Sequence, residues 1–121
     1  MNLFGDAGGF SDFKGSYLSQ IIVGRYICTF VFSDAQSITE EHILIYTDKE
    51  NKIEVIYKLK DEPIMFPFTK LLGKEVSDVK VSEDKKKLAL IFATNETLEA
   101  LTEICPYECG SVNLAGTTFI F

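Results

Sequence analysis

Val76-Ser77-Asp78-Val79-Lys80-Val81, the polar run Ser82 to Lys87, and Leu88-Ala89-Leu90-Ile91-Phe92-Ala93-Thr94-Asn95-Glu96-Thr97-Leu98 together read as a β-meander. Val76, Val79 and Val81 are apolar with polar residues between them. Leu88, Leu90 and Phe92 alternate with Ala89, Ile91 and Ala93. Apolar runs separated by charged or Asn-containing turns are the mark of antiparallel strands joined by hairpins.

The same phrase occurs earlier in the chain. Phe30-Val31-Phe32-Ser33-Asp34-Ala35-Gln36-Ser37-Ile38-Thr39-Glu40 aligns without a gap to Leu90-Ile91-Phe92-Ala93-Thr94-Asn95-Glu96-Thr97-Leu98-Glu99-Ala100. Upstream, Leu18 to Ile22 aligns with Leu72 to Val76 if the second copy carries a longer hairpin tip. The expected fold is therefore mainly β (β-rich α+β). Two degenerate antiparallel β-meanders form a curved sheet, sandwich or half-barrel, with at most one or two short helices. They either pack face to face or continue one sheet.

Outward from these copies, the whole chain reads as a single domain of 121 residues. Residues 1–15 form an arm that glycine makes flexible, while Phe4, Phe10 and Phe13 give it something to bury against the body or a partner. Residues 17–59 hold the first meander: strands at Tyr17 to Val23 and Tyr26 to Phe32, one long strand from Ser37 to Thr47 with a bulge near Glu41, and a return strand from Lys52 to Leu59. Residues 61–73 form a short helical connection, with a turn of helix over 67–72 closed by Gly73. Residues 74–121 hold the second meander, in which Glu99 to Ile104 continues a strand and Pro106-Tyr107-Glu108 makes a corner. Ser111 to Leu114 and Thr117 to Phe121 are the last strands. The expected core includes Ile22, Tyr26, Cys28, Phe30, Phe32, Ile43, Ile45, Leu88, Leu90, Phe92 and Phe119.

No apolar run approaches the roughly 20 residues of a membrane helix. The first residues lack the basic start and sustained apolar stretch of a signal peptide. The expected location is the cytoplasm, with Cys28, Cys105 and Cys109 kept as thiols. Cys28 reads as a small buried hydrophobe. Cys105 and Cys109 amount at most to half a metal site, because His42 is the single histidine. Pairing His42 with a cysteine nucleophile competes with the reading of His42 as a strand-end residue, which its position before an apolar strand suits as well. No Gly-rich loop lies between a strand and a helix. The expectation is a protein that is not an enzyme, with no catalytic, cofactor-binding or metal-binding residues and no cofactor.

Net charge is −6, and all 12 basic residues lie at or before Lys87. Glu96, Glu99, Glu103 and Glu108 follow with no base among them, leaving the C-terminal segment acidic. Direct nucleic-acid binding needs clustered cations without flanking acid and is disfavoured. For any single carboxylate, a solvated surface role is the ordinary reading.

Leu72-Gly73-Lys74-Glu75-Val76, the strand Leu88 to Phe92, Thr94-Asn95-Glu96-Thr97-Leu98, and Tyr107-Glu108 before a Gly-containing hairpin resemble a family of small bacterial immunity-type β proteins. Its motif order is Leu-Gly-Lys-x-Val, Phe-x-(Asp/Asn)-Gly-x-x-Leu and Tyr-Glu-Ser-Trp. The family includes immunity proteins of contact-dependent growth inhibition toxin systems. The match covers the C-terminal part of the chain well and the first half weakly. Glu96 stands where the family has Gly after Asn, and Cys109-Gly110 where it has Ser-Trp, so the corner motif is half present.

The resemblance implies an immunity protein that neutralises a cognate toxin domain, expected to be a basic nuclease, by stoichiometric binding as a monomer or weak homodimer. An acidic surface would steer such a partner and compete with its anionic substrate. The expected partner-binding residues are Glu96, Glu99, Glu103 and Glu108 with Tyr107 as aromatic anchor, and then Asp34, Glu40 and Glu41, the equivalent turn of the first copy. The alternative is a small-ligand-binding or regulatory β domain with a groove between the meanders. An enzyme is the weakest reading.

Overall fold

The computed structural model describes residues 3–59, 67–102, 108–114 and 116–121. The first half contains the 3₁₀ helix η1 (Ala7–Phe13) and strands β1 (Leu18–Val23), β2 (Cys28–Phe32), β3 (Ser37–Glu40), β4 (Ile43–Asp48) and β5 (Ile53–Lys58). The second half repeats the order with η2 (Pro67–Leu71), β6 (Val76–Val81), β7 (Lys87–Phe92), β8 (Glu96–Leu101), β9 (Gly110–Leu114) and β10 (Thr117–Ile120). The strands form two antiparallel five-stranded sheets that do not close into a barrel. The mainly β expectation holds.

Each sheet mixes the two halves. The first runs β1-β2-β3-β9-β10 and the second β5-β4-β8-β7-β6. Each half thus builds three strands of one sheet and sends its last two across to complete the other. The meanders expected at 17–59 and 74–121 are real as chain segments but are not the sheets themselves.

Hydrogen bonds relate the halves by an approximate internal twofold. Leu18 N–H donates to the Lys74 carbonyl and Val76 N–H to that of Ser16, while Gly73 N–H donates to Leu18 and Gly15 N–H to Val76. Gly15 and Gly73 have φ of +83° and +80°, which an L side chain would strain. The pairing register shifts between Leu18 and Gln20 in β1 and between Val76 and Asp78 in β6. Beside each shift a serine hydroxyl donates across the hairpin, Ser19 to the Val31 carbonyl at 3.0 Å and Ser77 to that of Ile91 at 3.1 Å. The counterpart of Leu18 is therefore Val76. The alignment of Leu18 with Leu72 is corrected, because Leu71-Leu72-Gly73 is the exit from η2 and matches Phe13-Lys14-Gly15. The gapless alignment of Phe30 to Glu40 with Leu90 to Ala100 agrees with the structure. Phe32 pairs with Leu18 and Phe92 with Val76, and Ala35 and Asn95 occupy equivalent left-handed turns.

The core lies between the sheets. Cys28, Phe30 and Phe32 alternate inward on β2, as do Leu88, Leu90 and Phe92 on β7. Phe4, Phe10 and Phe13 are buried as well, so the N-terminal segment packs against the body. Phe4 sits 4.6 Å from the Phe121 ring and Phe13 lies edge-on to Phe32 at 5.1 Å. Phe68 brings η2 against Phe30, Tyr46 and Tyr57. Truncating Phe32 or Phe92 to Ala is expected to cost about 3–5 kcal/mol each, read from denaturant unfolding. A loss below about 1 kcal/mol at either would contradict its place between the sheets.

Two expectations change, and a third is met where it is described. Ile22 and Tyr26 are exposed. Ile22 pairs with Thr29, which alternates outward from Cys28 and Phe30, and Tyr26 lies in the hairpin tip before β2 begins. The long strand expected from Ser37 to Thr47 is two strands in different sheets, broken at Glu41-His42 where the chain crosses over. The turn of helix expected over 67–72 and closed by Gly73 is η2, and 61–66 of the expected connection lie outside the described residues.

Candidate functional site

Of the seven carboxylates and one tyrosine expected as a contact set, the three that lie in described strands, Glu40, Glu96 and Glu99, are sorted by strand parity. Along β3, Ile38 and Glu40 point into the core while Ser37 and Thr39 point out. Glu40 is completely buried. Its side chain spans the two sheets: Oε1 accepts the Leu101 N–H of β8 at 2.7 Å and Oε2 accepts the Glu41 N–H at 3.3 Å. Burial pushes its carboxyl up to about 9, against the opposing pull of these backbone donors. Glu40 is a neutral acid at pH 7 and presents no charge to a partner.

Glu96 also points inward, in line with Leu98 and Ala100. It holds a closed network, accepting from the Tyr46 hydroxyl at 2.5 Å, Lys74 Nζ at 2.5 Å and Thr94 Oγ1 at 2.7 Å. Burial pushes this carboxyl up, but Lys74, Tyr46 and Thr94 together hold it below its ordinary value. Burial and the anionic Glu96 both push the Tyr46 phenol upward. Glu96 is an ionised structural anchor with its acceptors occupied. Its counterpart in the first half, Gln36, is likewise buried, with Nε2 directed at the Asp12 carbonyl. The parity with Ile38 and Leu98 was the available signal for both buried positions.

The remaining residues separate. Glu99 lies on the outer face of the second sheet, paired with Ile45 and Ala89, and burial raises its carboxyl pKa despite nearby Lys87. Asp34 is exposed in the β2–β3 turn, at the opposite end of β3 from Glu40. Glu103 and Tyr107 lie outside the described residues. Glu41 and Glu108 are brought together. The Glu41 N–H donates to the Cys109 carbonyl at 2.7 Å, and both glutamates are exposed. They come from different halves of the chain, and the sheet crossover at Glu41-His42 places them at one corner.

A cleft of about 460 Å³ lies beside the Glu96 network, between the β4–β5 tip and η2, with Asp48, Glu50, Lys70 and Lys74 on its walls. Two of its charged groups are already engaged. Lys74 is spent on Glu96, and Asp48 is held ionised by Asn51, by backbone N–H groups of Asn51 and Glu50, and by Lys70. Cys28 is pushed up to about 12 by burial, so it is not a thiolate nucleophile. Among the described residues, no three His, Cys, Asp or Glu side chains gather as a metal site, and no helix is long and apolar enough to cross a membrane.

No family model, curated protein or solved structure matches the chain.

Proposed function

We propose that this chain is an immunity-type protein that binds and neutralises a toxin domain, with a basic nuclease as the favoured partner. The observation that supports this reading is the corner where the Glu41 N–H bonds the Cys109 carbonyl, with Glu41 and the adjoining Glu108 both exposed. Carboxylates drawn from two sequence-distant segments onto one crossover form a local anion that the neutral Glu40 beneath does not strengthen. Such a patch accelerates encounter with a cationic surface and occupies sites that nucleic acid would otherwise take. The contact set is therefore narrowed to Glu41 and Glu108. Glu40 and Glu96 act on stability instead.

The test needs a candidate toxin domain, sought first in the coding sequence immediately upstream of this chain's gene. Stopped-flow association at low salt is expected to slow by about tenfold or more in the Glu41→Lys, Glu108→Lys double variant, and the difference is expected to shrink in high salt. Unchanged association would move the interface away from this corner. A toxin whose activity the wild-type chain leaves intact would end the immunity reading itself.

The alternative, a small-ligand domain, draws on the 460 Å³ cleft, whose size suits a small molecule. It is the weaker reading because Lys74 and Glu96 pair with each other and Asp48 is already taken up by Asn51 and backbone N–H groups.

A further inference from the structure

We propose that β1 is a docking edge for a second copy of this chain, paired antiparallel about a twofold axis through Ile22. The internal repeat supplies the control. β1 and β6 are equivalent edge strands of the two sheets, with matching bulges. At β6 the edge is guarded by charge at Asp78 and Lys80, and Asp78 pairs with Lys14. At β1 the equivalent positions are Gln20 and Ile22. Natural sheet edges carry charges that discourage pairing with another chain. The same backbone position accepts lysine in one half, so the fold does not require the exposed isoleucine in the other.

Among the described residues the edge is open beyond Leu18. Gly24 N–H donates to the Ile27 carbonyl to close the β1–β2 hairpin, so the alternation directs the backbone N–H and C=O groups of Ile22 and Gln20 toward β2 and those of Ile21 and Val23 toward the open edge. Among the described residues, the outer side of β1 pairs only at Leu18, with the segment at Gly73 and Lys74. A twofold through Ile22 sets Ile21 against Val23 of the second copy and Val23 against its Ile21. Each pair then exchanges both backbone hydrogen bonds, and the two Ile22 side chains meet between them.

A second copy is the occupant that the charge favours. A chain of net charge −6 repels itself on most faces, yet Leu18 to Val23 contains no charged residue. The hairpin beyond adds exposed Tyr26 and Ile27, about half and two-fifths accessible, to the area such a pairing would cover. Antiparallel edge pairing is self-complementary by construction, as an isologous dimer requires.

The test is sedimentation equilibrium of the full chain from about 5 to 500 µM, with amide hydrogen exchange at both ends of the range. The wild-type mass is expected to rise from 13.6 kDa toward twice that value. The Ile21 and Val23 amides should exchange at least tenfold more slowly at the high concentration. Ile22→Lys, which copies the residue at the equivalent β6 position, is expected to stay monomeric with wild-type circular dichroism. Gln20→Asp, the same exchange at the neighbouring position, provides a second variant with the same expectation if I22K fails to fold. The proposal fails if the wild type stays monomeric at 500 µM, if a folded variant dimerises as the wild type does, or if the dimer leaves both amides unprotected.

Discussion

Replacing Glu40 by Gln is expected to flatten the pH dependence of folding stability. In the folded chain the Glu40 carboxyl keeps its proton up to about 9, whereas its ordinary value is 4.5. Below pH 4.5 it is protonated in both states and costs nothing. Between pH 4.5 and 9 only the unfolded chain releases the proton, so the folded state binds more protons and stability falls as pH rises. The loss accumulates to a few kcal/mol, on the order of 3–6, by pH 9. Glutamine cannot ionise and keeps an oxygen for the Leu101 N–H. It loses an acceptor for the Glu41 N–H, at a cost of about 1 kcal/mol. The stability curves should therefore cross, with E40Q slightly weaker at pH 5 and clearly stronger at pH 9. Urea unfolding at pH 5, 7 and 9 reads the difference. Parallel curves would show that Glu40 is ionised in the fold.

Gly110→Ala is the second large effect. Gly110 opens β9, opposite Glu40 of β3, and exchanges backbone hydrogen bonds with Phe121 at 3.0–3.1 Å. An added Cβ would overlap the Thr39 carbonyl oxygen and lie 2.6 Å from Cζ of the Phe121 ring. The ring has little room, because Phe121 is fully buried and Phe4 packs on it at 4.6 Å. The backbone carbonyl cannot rotate away without breaking the β3–β9 ladder. A loss on the order of 3–5 kcal/mol is expected, seen as a drop in Tm. Gly8→Ala, where nothing lies within 4 Å, should change Tm little and serves as the control. A Tm for G110A within a degree or two of wild type would mean that β9 can retreat from β3 at no cost.

Legibility divided along the range of the forces. The strands, the turns and the duplication from Phe30 and from Leu90 were readable because hairpin pairing is local and alternation with period two is written in adjacent residues. Parity alone also contained the inward aim of Glu40 beside Ile38 and of Glu96 beside Leu98. A count of unbalanced charge placed both on a surface instead, because it takes no account of which side of the strand each residue faces. The upstream alignment of Leu18 with Leu72 differs from the structure because the bulges at Leu18/Gln20 and Val76/Asp78, which fix the true register, leave no distinctive mark in residue type.

The sequence by itself determined a mainly β chain built from two copies of one meander, since each residue's choice between core and solvent follows from its neighbours two positions away. Only the tertiary structure decided that each copy sends its last two strands into the other's sheet. That exchange depends on where β3 breaks at Glu41-His42, and a buried neutral glutamic acid holding a backbone N–H of the opposite sheet lies at that break. The same crossover decided that Glu41 and Glu108 share a corner. Their nearness comes from the Glu41-to-Cys109 hydrogen bond and not from any spacing in the chain. The contrast between the charged edge at β6 and the uncharged edge at β1 is likewise present in the letters, but it acquires meaning only once both are known to occupy the same place in the fold.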